Sequence, residues 1–251
     1  MYIDSHCHIT CDSLYERIDE VIEHMDQVEF AMIICTNEEE FIRAKSIKEQ
    51  YPNKFKIAFG WYPGDVKDIS EKEYQILQEA INKKEIDCLG EIGLDYYWDT
   101  SFINEQKEAF IRQIHMANKA NLPIAIHMRE ATKDTMDILK EHAQTKVIMH
   151  CFSGSVETMK ECVKRGYYIS LAGPLTFKNA KHAPDVVKAC PIDHLLTETD
   201  SPYLTPVPYR GKQNEPMYVE YVTKKIAEIK EVDVKIIAKH IQDNFQSLFE
   251  N

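Results

Sequence analysis

The chain has 251 residues, 44% of them hydrophobic, and a formal net charge of −11 from 41 acidic and 30 basic side chains. Coating nucleic acid takes many Lys and Arg contacts to phosphate, so this balance excludes that class while permitting a phosphodiesterase whose bound cations supply a local positive field. The longest apolar runs, such as Phe30 to Cys35, are too short to span a bilayer.

The first predicted strand, residues 2–6, runs into Asp4-Ser5-His6-Cys7-His8. Side chains alternate faces along a strand, so His6 and His8 point one way and Cys7 the other. Two imidazoles converging at a strand end are half of a metal site, although such a pair alone is also what two surface histidines look like. Strands at 30–35 and 55–60 follow, then a helical face from Glu73 to Ile81. The strand at 86–92 carries Cys88-Leu89-Gly90 into Glu91. Phe110, Ile114 and Ala117 share one face of a predicted helix over 104–120. The strand at 123–127 ends in His127 and that at 146–150 in His150, with a helix from Ser155 to Val163 behind them. Strands at 167–171 and 194–197 come next, the last followed by Glu198-Thr199-Asp200. A Pro-rich loop (202–216) and helical segments at 217–230 and 233–249 close the chain.

Eight strands, most followed by a helix, predict a (β/α)8 TIM barrel with additional C-terminal helices, forming one domain over residues 1–251. A doubly wound sheet is the alternative, but no G-x-G-x-x-G follows the first strand. Active sites of such barrels lie at the C-terminal ends of the strands. His6, His8, Glu91, His127, His150 and Asp200 all fall on that rim. Six N and O donors exceed what one tetrahedral ion takes. Two divalent ions sharing a bridging carboxylate, about 3.5–4 Å apart, would use them all. Glu91, from a middle strand, is placed to be the bridge, and the donors suit Mg²⁺, Mn²⁺ or Zn²⁺ alike. Cys35, Cys88, Cys151 and Cys190 lie in or beside apolar strands and read as small core residues. His24, His115, His142 and His240 read as surface or helix-flank residues away from the rim. Seven cysteines, an odd number without C-x-x-C spacing, and no visible secretory signal point to a cytoplasmic protein with reduced thiols.

The ordered motifs resemble those of the TatD-type metal-dependent deoxyribonucleases (TatD/YabD-like hydrolases). The resemblance rests on Asp4-Ser5-His6-Cys7-His8, Gly90-Glu91-Ile92-Gly93-Leu94-Asp95-Tyr96, Ile126-His127-Met128-Arg129 and Met149-His150-Cys151-Phe152-Ser153-Gly154. It continues through Thr176-Phe177-Lys178-Asn179-Ala180, Glu198-Thr199-Asp200-Ser201-Pro202, and Arg210-Gly211-Lys212 with Asn214-Glu215-Pro216, so it covers essentially the whole chain. It implies a TIM-barrel hydrolase with a dinuclear site, often a 3′–5′ exonuclease on DNA. It also implies that His6, His8, Glu91 and Asp200 hold one ion, and Glu91, His127 and His150 the other. The chain departs from the family pattern at Tyr62, where Gly-x-His-Pro is common, at Gln213, where an Arg is usual, and at Ser247, another Arg position. These departures are expected to reshape the grip on phosphate rather than the metal ligands.

The expected chemistry is ester hydrolysis by a metal-activated water. Asp200 is the candidate proton acceptor, and Glu91 is the second catalytic carboxylate. Arg129, two residues past a ligand, offers a planar fork to phosphate oxygens. Lys178 and Arg210 are further candidates, set against the ordinary solvated loop cation. Glu198 and Asp95 read as partners orienting the ligand histidines. Trp61, Tyr62, Tyr96 and Phe152 predict an aromatic groove that stacks bases, unless they merely cover the barrel mouth. The expected partner is DNA, as single strands or 3′ ends, with no membrane and no obligate protein partner. The rival is an amidohydrolase or deacylase acting on a small ester, amide or aminoacyl-tRNA. A non-catalytic barrel with a relic site fits poorly with six retained donors.

Overall fold

The structure is a computed structural model that describes residues 1–250. Strand β1 (Tyr2–Cys7) leads through two short helices, α1 (Asp12–Tyr15) and α2 (Ile18–Glu23), to β2 (Val28–Cys35). Then follow α3 (Glu38–Gln50), β3 (Phe55–Phe59), α4 (Glu71–Asn82) and β4 (Cys88–Asp95). The next units are α5 (Ile103–Ala120), β5 (Ile124–Arg129), α6 (Thr132–His142) and β6 (Val147–Met149). They continue with α7 (Val156–Lys164), β7 (Tyr168–Leu171), α8 (Ala183–Ala189) and β8 (Leu195–Thr197), before α9 (Val219–Lys230) and α10 (Val234–Ser247).

The strands pair in parallel and in sequence order from β1 to β8. A doubly wound sheet reverses its order at a switch point, and this one never does. The first and last strands are drawn together by three hydrogen bonds. Asp200 N donates to His6 O at 2.9 Å, His8 N to Ser201 O at 2.8 Å and Thr197 Oγ1 to Ile3 O at 2.9 Å. The result is a TIM barrel with helices between its strands, as the alternation of elements predicts. These closing bonds also bring His6, His8 and Asp200 to one seam.

Runs such as Ala31–Cys35 are buried throughout, as expected where helices cover a parallel sheet. Polar caps set several helix starts. Ser70 and Glu73 form a reciprocal capping box on α4, and Asn37 Oδ1 accepts from Glu40 N at 2.9 Å on α3. Each such cap contributes about 1 kcal/mol. No helix among the described residues is long and apolar enough to cross a membrane.

β4 runs three residues beyond the predicted end at 92, because its pairing with β5 continues from Ile92↔Ile126 to Asp95↔Arg129. Gly93 permits this close approach. Its φ is 146°, and a Cβ there would lie 2.0 Å from His127 O. The backbone that carries Glu91 can therefore lie against the backbone that carries His127.

Candidate metal centre

Four donor atoms converge at the seam between β1, β4 and the end of β8. His6 Nε2 lies 3.2 Å from His8 Nε2, 3.5 Å from Glu91 Oε2 and 3.7 Å from Asp200 Oδ1. His8 Nε2 lies 3.8 Å from the same Glu91 oxygen and 3.5 Å from the same Asp200 oxygen. A tetrahedral ion with N and O bonds of about 2.0–2.1 Å has edges of about 3.3–3.4 Å between its ligands. The spacing of this donor set therefore fits one divalent cation. Burying two carboxylates and two imidazoles this close is costly unless a cation is held among them.

The other oxygen of Glu91 faces a second group. Its Oε1 lies 2.6 Å from His127 Nδ1 and 3.4 Å from His150 Nε2. His150 stacks on His6 with ring centroids 3.5 Å apart, so the two groups adjoin. His6, Glu91 and His150 form one potential ligand cluster, and His6, His8 and Asp200 another. His127 stands outside both clusters, and its two nitrogens face Glu91 Oε1 and, at 2.9 Å, Asp95 Oδ2.

Buried polar groups hold these side chains in place. Glu198, fully buried, brings Oε1 to 2.8 Å from His150 Nδ1 and accepts the Cys151 N–H at 2.9 Å. Asp95 accepts the Tyr62 hydroxyl at 2.9 Å as well as facing His127. Asp4, missed at the sequence level, accepts the Thr199 N–H at 2.9 Å and the Thr199 hydroxyl at 2.6 Å, tying β1 to the segment that presents Asp200. Asp200 itself adopts φ 54°, a conformation that side chains other than glycine seldom take, so that segment is held by its surroundings.

Burial and neighbouring charges pull the protonation states apart. Burial opposes ionisation of Glu91, but His150 and His127 hold it well below the usual carboxylate range. Burial likewise opposes charge on Asp200, and His8 with His150 brings it below its ordinary value. Burial works against a proton on His150, yet Glu198 and Glu91 lift it to about 10. Burial pushes Asp4 up to about 8 against its Thr199 and His6 donors, and the Glu198 charge adds to the rise. The cluster thus sets anionic oxygens against His8, His127 and His150, whose hold on a proton is strengthened, while burial lowers that of His6; a metal ion would displace such protons.

A family model described as TatD related DNase matches residues 3–250. The chain belongs to that family. It is 43% identical over 253 residues to the uncharacterized metal-dependent hydrolase YabD of Bacillus subtilis strain 168, covering 99% of each chain. It is 35% identical over 254 residues to the similarly described YcfH of Escherichia coli K12, covering 98% of this chain and 95% of that one. The solved structure of YJJV, a TatD homolog from Escherichia coli K12, aligns with a TM-score of 0.93 at 28% identity, over 99% of this chain and 97% of that one. With the donor cluster, these relatives mark this TatD-family member as a metal-dependent hydrolase.

The remaining predicted cations lie at strand ends and in loops of the same rim. Arg129, at the end of β5, and Arg210 and Lys178, in loops after β8 and β7, are exposed and have no carboxylate partner among the described residues. Arg210 lies over the Phe177 ring at 4.0 Å, which brings those two loops together. Tyr62 is half-buried, with its ring edge-on to His127 at 5.0 Å.

Trp61 is a correction. It is 3% exposed and packs on Phe59, and its backbone N–H is held by Gln113 Oε1 at 2.7 Å, so no base can stack on it. Phe152, 5% exposed, is likewise closed to a base. Tyr96 donates its hydroxyl to Asp134 at 2.9 Å and is half-buried. The aromatics that do project at this rim are Tyr97, Trp98 and, edge-on to His8 at 6.5 Å, Tyr203, all of which sequence reasoning passed over.

Two further expectations change. Cys151 is not a core residue. It is half-buried with φ 42°, and its thiol lies beside His150 and Asp200 donors. His24 keeps the exposed helix-flank place expected of it, at the end of α2, with its Nδ1 2.7 Å from Glu215 Oε2. The family departure at 247 lies away from the mouth, and that at 213 meets another side chain of this protein. Gln213 accepts from Arg17 Nη2 at 3.0 Å, a cation that an arginine at 213 would oppose. Ser247 pairs with the Tyr168 hydroxyl at 2.8 Å, beside the start of β7 and at the end of the barrel away from the donors.

Proposed function

We propose that this hydrolase is a dinuclear phosphodiesterase acting on DNA, removing nucleotides from 3′ ends of single strands in a reducing, cytoplasmic setting. The observation that carries it is the division of Glu91, whose Oε2 faces His6 and His8 while Oε1 faces His127 and His150. A carboxylate with one oxygen on each of two donor groups is what a bridge between two cations needs. Phosphodiesters, rather than amides or neutral esters, are favoured by Arg129, Lys178 and Arg210, uncompensated cations on the same rim of an acidic chain.

Divalent ions held here would supply Lewis acidity to the attacked phosphate and acidify a water. His6, His8, Glu91 and Asp200 would hold one of them, and Glu91, His127 and His150 the other. Asp200, ionised and beside His8, orients the attacking water and takes its proton at a carboxylate oxygen as the P–O bond to the leaving sugar breaks. Arg129 and Arg210 pair with the non-bridging phosphate oxygens, whose charge the guanidinium fork matches. Glu198 and Asp95 keep the His150 and His127 rings oriented.

The deciding experiment measures metal content alongside digestion of oligonucleotides labelled at the 3′ or the 5′ end, beside a panel of small esters and amides. About two ions per chain and loss of the 3′ label first are expected. Hydrolysis of the esters with intact oligonucleotides would replace this reading with the deacylase one.

A further inference from the structure

Trp98 is 72% exposed and Tyr97 53% exposed, in a chain with only two tryptophans. Leaving an indole in water forgoes its large burial gain, so an exposed one beside a functional rim points to a ligand. These rings are ordered with respect to each other and to a cation. The Trp98 ring stands edge-on to Tyr97 at 4.8 Å and 86°. The Arg129 guanidinium lies 3.9 Å from the Tyr97 centroid and 5.3 Å from that of Trp98, in the corner they make.

Their position follows from the strands. Arg129 is two residues beyond His127 on β5, so its side chain leaves the same face about 7 Å further out. Tyr97 lies two residues past Asp95, the last residue of β4, and its N–H donates to Asp95 Oδ1 at 2.9 Å. With no carboxylate partner, the Arg129 donors are free for an anion. The corner therefore offers an open π face and a phosphate-pairing cation, one step outward from the donor cluster.

We propose that Trp98 and Tyr97, with Arg129, form a stacking platform for an unpaired base of single-stranded nucleic acid, holding the strand so that a neighbouring phosphate reaches the metal centre. The proposal rests on the phosphodiesterase reading and names the part of the substrate that the site recognises. Bases inside a duplex already have both faces stacked, so the platform selects unpaired ends. Discrimination comes from the π face rather than from base edges, so little sequence preference follows.

Trp61 is buried, so quenching by an added oligonucleotide reports on Trp98. The full chain, held in chelator to prevent cleavage, is titrated with a thymidine hexamer, an abasic hexamer with the same phosphates, and a blunt duplex. The thymidine hexamer should quench saturably, and the abasic strand and duplex should quench little. Trp98→Ala should weaken hexamer binding, read by anisotropy of a labelled strand, roughly 5- to 150-fold, the worth of one stacked base. Trp98→Phe should restore most of that affinity. Equal quenching by the abasic strand, or a Trp98→Ala affinity within about twofold of the parent, would overturn the platform. The two readings fail separately. Cleavage of the hexamer by metal-loaded protein without Trp98 quenching removes the platform and leaves the nuclease. Quenching without cleavage under any divalent metal does the reverse.

Discussion

Glu198 offers a way to separate charge from hydrogen bonding in the shell around the metal donors. It is wholly buried, and one oxygen serves two partners, the His150 ring nitrogen at 2.8 Å and the Cys151 N–H at 2.9 Å. Glu198→Gln keeps the volume and can place an amide oxygen where Oε1 stands, so the Cys151 N–H stays satisfied while the negative charge facing His150 is lost. Loss of such a partner behind a ligand histidine typically costs 10- to 100-fold in metal affinity, about 1.4–2.7 kcal/mol. Stability without metal should hardly fall, since no buried donor is orphaned. Glu198→Ala differs, because it strands the buried Cys151 N–H at about 1–3 kcal/mol as well as removing the carboxylate that faces His150. It should lower unfolding free energy by about 1–3 kcal/mol in addition to weakening metal binding. Competition against a chelating dye reads the affinity, and urea unfolding in chelator reads the stability. A Gln variant that binds metal within about twofold of the parent would refute the claim that Glu198 acts through its charge on His150. A Gln variant as unstable as the Ala variant would refute the hydrogen-bond accounting.

Asp200→Asn keeps an oxygen toward His8 but removes the charge and most of the basicity. It should retain at least one ion while kcat falls about 10²–10⁴-fold; near-normal turnover would move the proton to another group. Metal binding should release protons at neutral pH, because His8, His127 and His150 all titrate above their ordinary value in the metal-free site. Affinity should therefore rise with pH, and calorimetry in two buffers of different ionisation heat that shows no proton exchange would count against the assignment. Arg210→Ala should lower the log–log salt slope of oligonucleotide KM by about 0.7, one phosphate contact on a single strand. An unchanged slope would take Arg210 off the phosphate path.

The six rim donors were legible because their placement depends on one rule. In a parallel barrel each strand points its C-terminal end at the same mouth, so locating the apolar run locates the polar residue behind it. That rule brings His6, Glu91 and Asp200 together without knowledge of any rotamer. It says nothing of which oxygen of Glu91 meets which imidazole, nor that Asp95 occupies the second nitrogen of His127, because those depend on side-chain torsions. Cys151 was misread for a backbone reason. Its apolar neighbours suggest core, but φ 42° turns the chain immediately after His150 and leaves the thiol beside the donors. Trp61 follows Gly60 at a strand end, the place where a rim aromatic belongs, and only Gln113, 52 residues away, pins its backbone inward. Gln213 shows the same limit from the opposite side. Its deviation from the family pattern suggested a weaker hold on phosphate, yet its carbonyl accepts from Arg17, 196 positions distant. Whether residue 213 meets a substrate or another arginine is settled by a contact that leaves no trace in local pattern, and for that reason motif departures in loops inform on function only once the opposing side chain is known.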